Sequence, residues 1–190
     1  MNITVYCGSM SGNDPAYAQA AAELGTWIGE NGHCLVYGGG GVGLMGVLSD
    51  AVLSSGGRVH GVMPSFLVER EASRSGIDEL EIVETMSERK NRMIALGDAF
   101  VALPGGPGTV EEISEVISLA KLGRVVAPAV LFNVNGFYDD LAAAYDTQVS
   151  CGFATPEQRA RLFVVASVPE LSELLSEKRP VAALDPFEKL

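Results

Sequence analysis

Two short stretches hold residues whose types and spacing can do chemistry. In "LPGGPGTVEE", residues 103–112, an apolar segment passes through Gly105, Gly106, Pro107 and Gly108 into Thr109, Val110, Glu111 and Glu112. Glycines let successive backbone N–H groups converge on an anion at the start of a helix, where the helix dipole adds partial positive charge. In "SERKNRM", residues 87–93, Arg89, Lys90 and Arg92 fall in the first turns of a second helix, with Ser87 as the predicted N-cap and Glu88 a local offset. Each cation at the positive end of a helix dipole costs about 0.3–1 kcal/mol, and a bound anion reverses that cost. The two stretches together predict an anion site. The plainer reading of the cations is a solvated basic face, or ion pairs to Glu81 and Glu84.

The carboxylates need a separate reason. Thr109 is the predicted N-cap of its helix, and T-x-x-E lets Glu112 close a capping box. At 100° per residue Val110, Ile113, Val116, Ile117 and Ala120 share an apolar face. Glu111 then points away into solvent, and Glu112 lies at the edge of that face, overlooking the pocket. A carboxylate beside a phosphate cradle does not help hold phosphate. It helps a reaction in which positive charge develops one sugar ring away.

The elements that must position these residues alternate regularly. Strand candidates are "NITVYC", "HCLVYG", "RVHGVM", "LEIVE", "AFVALP", "PAVLFNV" and "RLFVVA"; helix candidates fall near residues 14–30, 44–55, 87–97, 109–122, 138–150 and 169–177. Uniformly apolar strands alternating with amphipathic helices indicate a mostly parallel sheet covered on both faces, a doubly wound, Rossmann-like α/β fold. A single domain over residues 1–180 is expected, with residues 181–190 a C-terminal extension. Ligands of such sheets sit beyond the carboxyl ends of the strands, where strand order reverses.

A second glycine loop, "GGGGVGLMG", places Gly41, Gly43 and Gly46 in the G-x-G-x-x-G spacing between a strand and a helix. The acidic residue that a dinucleotide fold needs about 20 residues further on is missing, since that region reads "HGVMPS", so NAD is disfavoured. These glycines can touch a ligand, permit close helix–strand packing, or do both. In "YCGSMSGNDP", Ser9 can reach a ligand, while Asn13 or Asp14 followed by Pro15 reads as a helix start.

The bulk properties narrow the partners. A net charge of −11 argues against a surface that tracks nucleic-acid phosphates. Cys7, Cys34 and Cys151 lack paired spacing and are expected to be buried free thiols, and His33 and His60 complete no metal spacing, so no metal or cofactor is expected. The opening residues "MNITVYCGSM" show no export signal, and no apolar stretch approaches the ~20 residues that span a bilayer. A cytoplasmic protein without membrane contact is the expectation.

"SERKNRM" followed by "LPGGPGTVEE" resembles the paired R-K and P-G-G-x-G-T-x-x-E motifs of the Lonely Guy (LOG) family, whose members are often mislabelled lysine decarboxylase-like. "VYGGGGVGLMG", "GVMPSFLVERE" and "LFNVNGFYDDL" look like further family segments, so the resemblance covers nearly the whole chain. It implies a cytokinin riboside 5'-monophosphate phosphoribohydrolase that releases a free base and ribose 5-phosphate, often with activity on AMP. It also implies a homodimer or larger assembly with sites near the interface. By the resemblance Arg89 and Lys90 bind nucleotide, Arg89 and Glu112 are the catalytic pair, and Gly106 through Glu112 wrap the ribose phosphate. Glu71 of "EREAS" and Ser118 fall on family binding positions, and Ser87 stands where many relatives have His.

N-glycosidic cleavage passes through an oxocarbenium-like ribose, which a carboxylate can stabilise while orienting the attacking water. That part falls to Glu112. An arginine guanidinium suits an electrostatic clamp and not proton transfer, which fits Arg89. The rival reading is a non-catalytic carrier of a nucleotide or phosphorylated cofactor on the same cradle. A pyridoxal-phosphate decarboxylase is disfavoured because neither Lys90 nor Lys121 has the setting of a Schiff-base lysine.

Overall fold

The structure, a computed structural model, describes residues 1–68 and 76–176. Its strands are β1 (Asn2–Tyr6), β2 (Cys34–Tyr37), β3 (Arg58–Pro64), β4 (Glu79–Val83), β5 (Ala99–Ala102), β6 (Ala129–Phe132) and β7 (Leu162–Val165). Its helices are α1 (Pro15–Glu30), α2 (Gly43–Ser54), α3 (Met86–Leu96), α4 (Pro107–Lys121), α5 (Asp139–Ser150), α6 (Pro156–Arg159) and α7 (Val168–Ser176). All seven expected strands form, each within a residue or two of its apolar run. The short α6, capped by Thr155 with Gln158 completing a capping box, had no counterpart among the sequence expectations.

The sheet is wholly parallel in the order β4-β3-β2-β1-β5-β6-β7. Central strands bury both faces, which is why they read as unbroken apolar runs. One core joins Ile3 and Val5 to Leu24 and Ile28 of α1, Leu48 and Val52 of α2 and Leu171 of α7. The other joins Tyr6 and Val36 to Met93 of α3, Ile113 and Val116 of α4 and Tyr138, with Leu141 and Tyr145 of α5 packed against it. Helices therefore cover both faces, as a doubly wound fold requires.

Chain direction across the sheet reverses at β1, whose neighbours are β2 and β5. The loops leaving β1 and β5 consequently diverge to opposite faces and open a crevice between them. Hydrogen bonds from Leu103 N to Tyr6 O (2.9 Å) and from Gly8 N to Pro104 O (3.1 Å) tie the roots of the two loops together.

Two expected helix starts move. Thr85, not Ser87, caps α3: its hydroxyl accepts from Glu88 N at 3.1 Å, and Glu88 returns bonds to the backbone N–H of Glu84 and Thr85. Gly106, not Thr109, is the cap residue of α4, because Pro107, with its fixed φ and no N–H, opens the helix. Thr109 therefore stands inside the first turn and Glu112 lies too far along to close a capping box. Asp14 does cap α1, accepting from Ala16 N at 2.9 Å, with Pro15 as the first helical residue.

Of the three cysteines, all free, only Cys7 is buried; Cys34 is half-buried and Cys151 is exposed, which corrects the expectation of three buried thiols. Glu71 and residues 181–190 lie outside the described residues.

Candidate active site

A cavity of about 530 Å³ opens in the crevice at the strand reversal. Its floor and one wall come from Cys7, Gly8 and Ser9 after β1 and from Pro104, Gly105, Gly106, Pro107, Gly108 and Thr109 at the start of α4. Met10, Tyr17, Met45, Leu67, Met86 and Phe137 supply an apolar wall. Phe137 is held edge-on to Tyr17, with ring centroids 5.7 Å apart. The Tyr138 hydroxyl donates to Leu103 O at 2.7 Å and fixes the strand end that feeds the glycine turn.

The glycines of the turn divide by what a Cβ would meet. At Gly105 it would stand 2.2 Å from Thr109 Oγ1 and 2.9 Å from Gly8 N, so packing alone demands glycine. At Gly106 and Gly108 it would meet nothing within 4 Å, and neither has a positive φ. Nothing inside the fold requires glycine at those two positions. Both line the cavity at the start of α4, where the leading N–H groups of a helix have no partner within it and no side chain caps them.

Arg89 is buried at 7% exposure, an environment that a guanidinium enters only with partners. Its Nε donates to Val62 O at 3.2 Å, and its Nη1 lies 3.6 Å from Glu112 Oε1. Glu112 is equally buried at 8%, so two opposite charges face one cavity from α3 and α4. Gly38, at the end of β2, makes room for them: a Cβ there would lie 2.0 Å from Arg89 Nη2. The sequence expectations missed Gly38 because the clash arises only once β2 and α3 are side by side.

Other polar groups near the pair are quiet. Burial, reinforced by the charge of Glu112 and opposed by Arg89, pushes the Cys7 thiol far above its ordinary range, so it stays protonated at neutral pH and is no nucleophile. Burial and the neighbouring carboxylates of Glu112 and Glu115 likewise keep Tyr6 a neutral phenol.

The remaining expected site residues are spread more widely. Ser9 and Glu111 line the cavity; Val110, Lys90, Ser118, Gly41 and Gly43 do not. Lys90 instead pairs with Glu111 and with Glu115 at 3.0 Å, and hydrogen bonds to these two glutamates raise its pKa. Glu111 is thus exposed but engaged with Lys90, not merely solvated. Ser118 is exposed, bonds back to Ser114 O at 2.8 Å and sits well over a turn beyond Glu112. Gly43, at φ +60°, abuts the Ser9 backbone, where a Cβ would come within 2.3 Å of Ser9 O. The second glycine loop therefore serves packing that shapes the cavity from behind. Arg92 forms an ion pair with Glu81 at 2.8 Å, the plainer alternative considered for it.

Fold and site together define a doubly wound Rossmann-like α/β protein with a glycine-rich helix start and a buried arginine–glutamate pair at the strand reversal. A family model described as "Possible lysine decarboxylase" matches residues 45–175. The cytokinin riboside 5'-monophosphate phosphoribohydrolase LOG2 of Arabidopsis thaliana is 44% identical over 178 residues, covering 94% of this chain and 84% of that one. The enzyme of the same description, LOG, of Oryza sativa subsp. japonica is 46% identical over 173 residues, covering 91% and 70%. The chain belongs to this LOG family. Among solved structures, a molybdenum cofactor binding protein from Rippkaea orientalis superposes with a TM-score of 0.71 at 21% identity, covering 92% of this chain and 94% of that one. The molybdenum cofactor carrier protein of Chlamydomonas reinhardtii gives 0.68 at 22% identity, covering 93% and 98%; at such identity the likeness is one of fold.

Proposed function

We propose that this protein hydrolyses the N-glycosidic bond of cytokinin riboside 5'-monophosphates, and of AMP, to the free base and ribose 5-phosphate. The observation that carries the reading is the Glu112 carboxylate, buried and aimed into the same cavity as the bare first turn of α4. A protein that only held phosphate would gain nothing from an anion there. The names of the relatives, at 43–46% identity over more than nine-tenths of the chain, support the substrate class.

In this reading the backbone N–H groups around Gly106, Gly108 and Thr109 take the 5'-phosphate and so fix C1' of the ribose. The base lies toward the apolar wall of Met10, Tyr17, Met86 and Phe137. As the bond from C1' to the base nitrogen breaks, its electron pair leaves with the base and positive charge builds on the ribose, where the Glu112 carboxylate stabilises it. The same carboxylate orients water, whose hydroxyl ends on C1' while its proton passes to the departing base. Arg89, held by Val62 O, keeps Glu112 in place and clamps substrate through charge-assisted hydrogen bonds.

A homodimer with sites near the interface belongs to the same reading, supported by exposed Met10 in the cavity wall and exposed Phe66 beside cavity-lining Leu67. A reducing, cytoplasmic setting is supported by three unpaired cysteines. A net charge of −11 weighs against a nucleic-acid partner. No described helix is long and apolar enough to cross a membrane.

Chromatography of a panel of nucleoside 5'-monophosphates incubated with the protein tests the proposal. Release of adenine or isopentenyladenine in catalytic amounts is expected. Recovery of stoichiometric, intact nucleotide after long incubation would favour the carrier reading instead.

A further inference from the structure

His60 of β3 meets Glu79 and Glu81 of β4 at the edge of the sheet. The parallel register sets His60 beside Glu79 and Val62 beside Glu81, and residues two apart share a face, so all three side chains rise on the face that α3 covers. His60 Nδ1 lies 3.4 Å from Glu79 Oε2, and Nε2 lies 3.3 Å from Glu81 Oε2. One donor atom from each residue can be chosen so that all three lie within 4.8 Å of one another. None of the three lines the cavity.

An acidic cluster alone would be a solvated edge. Here the imidazole is the informative member: His60 is 9% exposed, and its buried Nε2 makes no hydrogen bond among the described residues. Buried polar atoms in native proteins are almost always hydrogen-bonded, and one that faces a carboxylate without such a bond is a setting that a metal ion between the two would satisfy. Zinc bonds of about 2.0–2.2 Å set tetrahedral donors roughly 3.4 Å apart, close to the 3.3 Å already present between Nε2 and Glu81.

We infer that His60, Glu79 and Glu81 form a divalent transition-metal site that clips the edge strand β4 to β3. One imidazole nitrogen with carboxylate oxygens suits zinc and its neighbours, and the lack of thiolate excludes a preference for soft cuprous ion. Nε2 and Glu81 make the core of the site. Glu79, whose side chain is 64% exposed, faces Nδ1 through one oxygen and has freedom to bring the other to the ion, with water completing the shell. Arg92, bonded to Glu81 at 2.8 and 2.9 Å, offsets one of the two negative charges and holds that carboxylate in position. Glu81 keeps lone pairs for both partners.

The full-length protein, stripped with chelator and exchanged into metal-free buffer near neutral pH, is titrated with zinc chloride by calorimetry and with cobalt(II) by visible absorption. One equivalent is expected to bind saturably and to raise the melting temperature, because the ion binds the folded chain. His60→Gln and Glu79→Gln should each weaken zinc by at least about tenfold. A Cys34→Ser/Cys151→Ser double variant should leave it unchanged. Glu79 is exposed, so its variant folds even if the His60 variant does not. No saturable binding, binding that survives the Glu79 substitution undiminished, or binding lost with the two cysteines overturns the site.

Discussion

Arg89 Nη1 stands 3.6 Å from Glu112 Oε1, with side-chain exposures of only 9% and 10%. At that distance the two opposite charges compensate each other without forming a tight hydrogen bond. Removing the arginine takes a buried countercharge away from the buried carboxylate, and breaking one side of a buried ion pair is destabilising. Arg89→Ala is expected to lower the melting temperature and to reduce both AMP affinity and turnover, as read by kcat and KM beside a thermal melt. An unchanged KM would remove Arg89 from the binding role.

Gly38 is expected to matter through Arg89. An alanine Cβ would lie 2.0 Å from Nη2 and 3.1 Å from Cζ, and the displaced atoms are the end of a flexible side chain. Folding therefore survives Gly38→Ala with a small loss, while a guanidinium moved by about an ångström can cost on the order of 10²-fold in rate. Turnover falling far more than stability is the expected signature; a variant with full activity would mean the position of Arg89 is uncritical.

Gly108→Ala and Gly43→Ala should separate ligand contact from packing. At Gly108, inside α4 with open space around it, alanine is expected to stabilise the helix by roughly 0.5–1 kcal/mol and yet weaken nucleotide binding. At Gly43, with φ +60° and the Ser9 backbone 2.3 Å from the new Cβ, it should destabilise the whole domain. Paired melting curves and AMP titrations check both. Equal effects at the two positions would contradict the assignment of Gly108 to the cradle.

Strand identity and the parallel fold were legible in the sequence because buried parallel strands have no wet face to interrupt their apolar runs. The meeting of Arg89, Glu112 and the glycine turn at one cavity was legible through local motifs. The cap positions misled because rival signals overlap: Thr85-x-x-Glu88 is itself a capping box, and Pro107 outranks Thr109 as a helix start. Glu112 is thereby free of the capping box the motif suggested. Gly38 under Arg89 and His60 beside Glu79 and Glu81 lay beyond sequence reading, since each depends on which strands become neighbours. The pairing of Lys90 with Glu111 and Glu115 was likewise hidden, because those partners sit on another helix.

The cysteines should differ in reactivity. Cys151 is exposed, burial raises the pKa of half-buried Cys34, and burial with the Glu112 charge holds Cys7 protonated far above neutral pH. The thiolate is the reactive form, so a colorimetric thiol reagent on the native protein near pH 8 should show one fast phase, abolished by Cys151→Ser. A fast phase that survives that substitution would place a reactive thiol at Cys7 or Cys34.

In the proposed function Glu112 serves the reaction and not the fold of α4. Glu112→Gln keeps the shape and removes the charge that would stabilise the ribose cation or activate water. Measured on isopentenyladenosine 5'-monophosphate and AMP, release of free base should fall by about 10²–10⁴-fold, while AMP still binds. Near-wild-type turnover by the Gln variant would contradict it.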